Sequence, residues 1–398
     1  MMTKVSREAR DFRTLLAATS DRYDVDMLPQ SEHRKRNLAI VASVSFLLLI
    51  LGIRNIPDQF EDEHYYVEAA RDFIAGAPSS NTMHPPLAKY FIAASMKLLG
   101  DNPIGWRLPS VLSGTLLAFA IFGMTRRLTS DTRTAYLAWL LTIAGGFWYG
   151  MSRVAMLSVY ELAFEMAAVW VFLVALETDN ATAWCGAGLL FGLSVACRWF
   201  GAMGLITCLG VAFSGRRLLK PCGMSFTVFI TYCVTWIPLL IREHRPVSYL
   251  IDANLFIYRF HRAPPLVGDP GDNWWTWLMP LSPPRSALYV ANPIIGACGL
   301  FALAAILLGK RRFALVGWLY LANMLPWMIA VKPITYYYYY FEAYVFLAVA
   351  LAVVTARVMV YRARLDFVVA AAAVGYFVYW FPVWGHFPPP LGGVFGYH

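Results

Sequence analysis

Glu61-Asp62-Glu63-His64 follows the first long apolar run of this chain, and His84-Pro85-Pro86-Leu87-Ala88-Lys89 comes further along the same loop. Carboxylates at a membrane face, on the side away from the basic loops, could take the proton of a hydroxyl that attacks a substrate delivered by lipid. Lys89, Arg107, Arg153 and Arg198 stand at the same edge of the apolar runs and could neutralise a phosphate as it leaves. Ionisable groups at membrane depth are expensive, which makes these residues functional candidates. Asp62 and Glu63 are neighbours and point different ways on a helix. At most one of them serves as base, and the other is free to pair with an arginine. The bland alternatives are that Arg153 and Arg198 snorkel to headgroups and that outer Tyr and Trp residues form the interfacial belt.

The elements that must position these groups follow from composition. The 398 residues are 59% hydrophobic and 14% charged, whereas soluble domains are about a quarter charged. Several apolar stretches reach the ~20 residues that a helix needs to cross a bilayer. They do not alternate apolar and polar residues, which argues against barrel strands. Apolar runs near 38–53, 108–124, 135–150, 154–176, 183–197, 199–214, 224–241, 287–308, 313–331, 341–356 and 366–383 predict an all-α polytopic membrane protein with about eleven spans. The six cysteines lie in or beside apolar runs without a C-x-x-C pair, so neither a zinc knuckle nor a disulfide framework is indicated.

The net charge of +9 is spread over small basic clusters between apolar runs, which speaks for the positive-inside rule rather than for nucleic-acid binding. Arg34-Lys35-Arg36, Arg126-Arg127 with Arg133, Arg216-Arg217 with Lys220, Lys310-Arg311-Arg312 and Arg357 to Arg364 all fall on one side when the predicted spans are followed in order. This places a cytoplasmic segment at 1–37, a transmembrane catalytic domain at 38–398, and outer loops at 54–107 and 242–286. The second outer loop carries His261 and the Trp274-Trp275-x-Trp277 cluster, and a shorter outer segment carries Tyr336 to Tyr340. These rings could stack on a sugar. Within the first loop, Glu63 to Ala75 has the periodicity of an interfacial helix ended by Gly76. Pro85-Pro86 can only open a helix, which places His84 at its positive end, a natural site for an anion such as phosphate.

Asp62-Glu63-His64, His84-Pro85-Pro86-Leu87-Ala88-Lys89 and Trp106-Arg107-Leu108-Pro109-Ser110 resemble the first outer loop of the protein O-mannosyltransferases, polyprenyl-phosphate-mannose-dependent enzymes of the GT-C superfamily. The resemblance continues in Ser152-Arg153-Val154-Ala155-Met156-Leu157, Arg198-Trp199-x-Gly201, Trp274-Trp275-x-Trp277, Asn292-Pro293, Leu325-Pro326-Trp327 and the tyrosine run. It implies a GT-C helical bundle of the bacterial type, without the lumenal β-trefoil. It also implies a base at Asp62 with Glu63 beside it, and donor phosphate binding by Arg107, Lys89, His84 and Arg198. Arg153, Glu161, His261, Trp274, Trp275 and Tyr338 become possible substrate-site residues. The chain departs from the family pattern at Ser158, where an aspartate is usual and Glu161 could substitute, at Arg198 in place of lysine, and at Ala88 in place of glycine.

The resemblance implies transfer of mannose, with inversion, from a polyprenyl-phosphate carrier to Ser or Thr hydroxyls of a secreted or membrane protein. The place is the outer face of the inner (plasma) membrane. It points to no metal or cofactor, although Asp62, Glu63 and His84 could be drawn together around a divalent cation. Two alternatives use the same groups. One is a lipid-carrier-dependent transferase acting on a lipid or cell-wall glycan, as the aminoarabinose transferases do. The other is a transporter or flippase with Asp62 as its proton-coupling group, but that function favours ionisable groups at the midplane rather than at the outer edge.

Overall fold

The computed structural model describes residues 30–56, 59–215, 218–263, 271–278, 291–309, 313–329, 335–358 and 364–386. Most of the predicted cytoplasmic segment, the basic residues at 216–217 and 310–312, and Pro388-Pro389 lie outside them. Among the described residues every regular element is helical. In chain order these are α1 (Gln30–Ile50), α2 (Glu63–Ala75), α3 (Leu87–Leu99), α4 (Pro103–Thr129), α5 (Thr132–Ile143), α6 (Gly146–Met151), α7 (Leu157–Thr178), α8 (Ala181–Cys197) and α9 (Ala202–Ser214). They continue as α10 (Leu219–Arg242), α11 (Tyr249–Arg262), α12 (Trp274–Leu278), α13 (Pro293–Leu307), α14 (Ala314–Met328), α15 (Phe341–Val358) and α16 (Leu365–Trp384). Single 3-10 turns, Trp199–Gly201 and Tyr337–Tyr340, lead into α9 and α15.

The predicted spans fall on helices with some shifts of boundary. α1 begins at Gln30, so the basic run at 33–36 belongs to the helix rather than preceding it. The run 135–150 is divided at Ala144 and Gly145 between α5 and α6. Five helices are long and apolar enough to cross a bilayer: α4, α7, α10, α16, and α15 with the turn before it. α8, α9 with its turn, α13 and α14 are apolar but shorter.

The middle of the bundle is α4, α7 and α15, whose apolar windows are 67%, 78% and 89% buried. α10 and α16, at 28% and 17%, show their sides to the surroundings. A lipid-facing helix needs no polar face, so these outer helices expose Phe226, Phe229, Phe367 and Val378 without penalty. Small residues set the tight contacts, as expected where apolar burial gives little drive between helices. A Cβ at Gly188 would stand 2.6 Å from the Met224 carbonyl, and one at Gly192 would stand 2.5 Å from Thr231 Cβ. The α8–α10 crossing therefore depends on both glycines.

The outer loop forms as its residues predict. α2 ends at Gly76, whose φ of +75° closes the helix. α3 starts directly after Pro86. α4 is started by Asn102, whose side chain accepts from the amides of Ile104 and Gly105 at 3.0 and 3.3 Å, with Pro103 in the first turn. Arg71 ties α2 to this corner through Asp101, at 2.8 and 3.0 Å, and the Trp106 indole donates to the same carboxylate at 2.6 Å.

Candidate active site

Asp62 stands on the rim of a cavity of about 310 Å³. Tyr66, His84 and Pro85 border it from the first outer loop, and His261 and Arg262 from the end of α11. Arg198, Trp199, Phe200, Trp327, Tyr338 and Tyr339 also line it, with Met203 and Pro326 adding apolar surface.

The turn before α2 aims Asp62. Gln59 and Glu61 both hold left-handed backbone, with φ of 45° and 53°, a conformation that costs non-glycine residues about 1–3 kcal/mol and concentrates at functional sites. The Tyr338 hydroxyl donates to Asp62 Oδ2 at 2.8 Å, and the Tyr66 hydroxyl lies 3.5 Å from the same oxygen. Burial, and then the Asp62 carboxylate, push the Tyr66 hydroxyl well above the usual phenol range, so it remains a donor. Oδ1 has no protein donor among the described residues, which leaves that oxygen to face a substrate hydroxyl.

Glu63 lies on the other side of the backbone. It is fully buried and holds Arg107 by two bonds, Nε to Oε1 at 2.9 Å and Nη2 to Oε2 at 2.7 Å. The same carboxylate accepts from the amides of Ala155 at 2.8 Å and Phe60 at 3.0 Å. Arg107 also donates to the carbonyls of Ile53 and Ile56. The expected phosphate contact of Arg107 is therefore not what the structure arranges, since the guanidinium is turned into the bundle and lines no part of the cavity. A direct chemical role for Glu63 is displaced for the same reason. The pair welds the acidic turn to α4 and to the segment before α7.

Lys89 and Arg153 are likewise turned away from the cavity. The Lys89 ammonium is buried and donates to the carbonyls of Asn81 at 2.6 Å and His84 at 3.0 Å. Burial pushes it down from 10.5 to about 7, with Glu243 opposing. Arg153 donates to the carbonyls of Leu49, Leu51 and Trp384, closing the C-terminal end of α1, and its guanidinium lies over the Tyr149 ring. The loop before α3 is pinned from both sides. Ser79 N donates to Glu243 at 3.2 Å, and His261 donates to the Met83 carbonyl at 3.0 Å. This brings the His84 and His261 rings to 4.9 Å and leaves both on the cavity.

Arg198, like His84, lines the cavity. One nitrogen, Nη1, is ion-paired with Glu342 and donates to Ser158 Oγ at 2.9 Å, with Glu161 at 3.9 Å. Its guanidinium lies over the rings of Tyr339 and Phe200. Glu161, expected as a substrate-site residue, is fully buried behind Arg198 and lines no part of the cavity. The carboxylate that Arg198 takes first is Glu342, on α15, which no motif marks. Of the tryptophan cluster, Trp274 and Trp275 stay off the cavity, and Trp275 is 57% exposed. Trp277 is the buried member and packs on Trp327. Phe200, Trp327 and Tyr339 then form a continuous stack, with centroids 4.7 Å apart at each step.

Tyr66, Trp199, Phe200, Trp327, Tyr339 and Arg262 join the site although the spacing of the chemistry-bearing residues does not select them. Trp199 and Trp327 do lie in motifs, Arg198-Trp199 and Leu325-Pro326-Trp327, and that was the available signal. Asp62, Glu63 and His84 are not drawn together, because Glu63 points to Arg107. Among the described residues no three His, Cys, Asp or Glu side chains converge as metal ligands.

A family profile described as dolichyl-phosphate-mannose-protein mannosyltransferase matches residues 83–241. The polyprenol-phosphate-mannose–protein mannosyltransferase of Mycolicibacterium smegmatis is 23% identical, over 81% of each chain. The enzyme of that name from Corynebacterium glutamicum is 36% identical over 124 residues, 28% of this chain and 24% of the relative. In fold the chain is similar to ArnT from Cupriavidus metallidurans, solved with undecaprenyl phosphate, at a TM-score of 0.62 and 14% identity, covering 89% of this chain and 66% of that one. By sequence the chain is similar to the polyprenol-phosphate-mannose–protein mannosyltransferases, and its helical architecture is similar to that of a membrane glycosyltransferase.

Proposed function

We propose that this protein moves mannose from a polyprenyl-phosphate carrier to a Ser or Thr hydroxyl of a protein, on the extracytoplasmic side of the plasma membrane, with inversion at the anomeric carbon. The observation that carries this reading is the meeting of two kinds of group in one cavity. A carboxylate oxygen without a protein donor lines it, and so does an arginine anchored by one nitrogen between aromatic rings. Asp62 takes the hydroxyl proton as the acceptor oxygen forms its bond to the anomeric carbon. The bond from that carbon to the phosphate oxygen breaks, and the phosphate leaves toward Arg198, with Arg262, His84 and His261 at the same rim. One positioned base and one anion clamp suffice, since a neutralised phosphate is a fair leaving group. Trp327 and its stacked neighbours offer a face to the sugar or the first isoprene units. Glu63, Arg107, Lys89 and Arg153 act by holding the loop that carries Asp62 and His84. The basic clusters support a cytoplasmic N-terminus and an outer active site.

The test is transfer from sugar-labelled polyprenyl-phosphate-mannose to a Ser/Thr-rich peptide in purified membranes. Asp62→Asn is expected to lower kcat by about 10²- to 10⁴-fold with the folded protein retained. Transfer that survives this change removes Asp62 as base. Label that appears in lipid or glycan instead of peptide moves the acceptor assignment to the lipid-modifying alternative.

A further inference from the structure

We infer that Glu342 is a positioning residue for Arg198 and that it takes up a proton when the donor phosphate binds, so that donor affinity falls as pH rises. The inference rests on the donor reading above. Its first support is the way Arg198 is held. Glu342, which does not line the cavity, and Ser158 both engage Nη1. Among the described residues Nε and Nη2 have no protein acceptor, and the side chain lines the cavity. An arginine anchored at one nitrogen keeps its remaining edge directed at one place, where a phosphate can take two parallel bonds.

The second support is a charge count below the cavity. Glu161, Glu165 and Glu342 are all fully buried, and Arg198 is the cation among them. Both oxygens of Glu161, Oε2 of Glu165 and Oε2 of Glu342 have no hydrogen-bond partner. Asn323 donates to Glu165 Oε1 at 3.3 Å, and its own Oδ1 is also unpartnered. The other titratable groups around the cluster are Tyr339 and Tyr66 on the cavity side and the buried Cys197 and Cys208, none of which supplies positive charge. Three buried carboxylates with one guanidinium cannot all be ionised without a large desolvation cost. The cluster therefore holds protons. A phosphate on the free edge of Arg198 adds one more negative charge against the same cation. The balance is restored by one proton from solvent, and Glu342 is the carboxylate that shares Arg198 with the phosphate. Binding and protonation are then linked, and each favours the other.

The experiment measures equilibrium binding of radiolabelled polyprenyl-phosphate-mannose to the full-length protein in detergent, from about pH 6 to about pH 8, a range in which the donor's phosphodiester keeps a single charge. For the wild type, Kd is expected to rise with pH by up to about tenfold per unit, the limit for one linked proton. Glu342→Gln is expected to bind with a Kd that does not change with pH. At the alkaline end it should bind no more weakly than the wild type, because the neutral amide leaves the Arg198 charge to the phosphate. His261→Gln, which removes an imidazole that could itself give pH dependence at the rim, is expected to keep the wild-type slope, and loss of the slope in this variant overturns the inference. Glu342→Asp, whose shorter carboxylate withdraws from Arg198, is expected to keep the slope with a raised Kd, and it carries the test if Glu342→Gln does not fold. A flat wild-type profile, a Glu342→Gln profile with the wild-type slope, or a Glu342→Asp Kd equal to that of the wild type overturns the inference and leaves the donor reading standing. No binding by the wild type overturns the donor reading and this inference together.

Discussion

At the scale of single residues, the site divides into groups that face the cavity and groups that hold them. Asp62 and Arg198 face it, while Glu63, Arg107 and Lys89 hold the loop. The Glu63–Arg107 pair is fully buried, and removing one partner leaves a charge with nothing to oppose it. Arg107→Ala is expected to lower stability by about 3–5 kcal/mol, read as thermal unfolding in detergent. Arg107→Lys should recover little of this, since an ammonium cannot make the two parallel bonds. Tyr338→Phe removes a donor to Asp62 Oδ2, and loss of one such bond of about 1.5 kcal/mol should cost roughly tenfold in kcat with little change in melting temperature. Lys89 gives a pH-dependent prediction. Its folded value of about 7 lies below its ordinary 10.5, so between these values the unfolded chain binds more protons. Stability contributed at this position therefore rises with pH across that window, and the cost of charging Lys89 is fully present below about 7. The melting temperature of Lys89→Met relative to the wild type should be most favourable in acid and should fall toward alkaline pH, with the loss of the bonds to Asn81 and His84 as a pH-independent cost. A margin that grows with pH contradicts the assignment.

At the scale of elements, the site is an agreement among short segments rather than a property of one helix. Asp62 and His84 lie just before α2 and α3, and the loop between these helices is held to the ends of α10 and α11 through Glu243 and His261. Arg198 sits where α8 ends, and Glu342 in the first turn of α15, so the anion site depends on bringing these two helix ends together. The α8–α10 crossing is the tightest of these supports to test. Gly188→Leu brings bulk against the backbone of Met224, which cannot yield as a side-chain tip can. A loss of about 1–3 kcal/mol, and a melt lowered well below that of a Gly186→Leu control whose nearest neighbour is 3.5 Å away, is expected.

At the scale of the whole molecule, burial sorts the helices, with α15, α7 and α4 inside and α10 and α16 outside. The charge distribution sets the proposed orientation, which can be tested with a membrane-impermeant maleimide. Ser80→Cys, exposed in the first outer loop, should label in intact cells. Thr182→Cys, exposed in the first turn of α8, should label only after permeabilisation. The reverse pattern would invert the protein and move the cavity to the cytoplasmic face.

Much of this was legible in the chain itself, for local reasons. The 3.6-residue periodicity and the breaks at Gly76 and Pro86 determine α2 and α3 to the residue, because helix ends obey backbone rules that need no distant partner. Apolar length predicts which regions become helices. The adjacency of Asp62 and Glu63 already requires that they do different work, since neighbouring side chains cannot face one pocket from a helix. Which of the cations meets a phosphate could not be read this way. Arg107, Lys89, Arg153 and Arg198 have the same charge and the same edge-of-span placement, and only tertiary contacts separate them. The first three are turned to carboxylate or carbonyl oxygens in the protein, while Arg198 keeps an edge on the cavity. Glu342 was invisible for a related reason. A lone glutamate at the start of an apolar helix has no pattern of its own, and its task is assigned by an arginine 144 positions away in sequence that folding brings into contact.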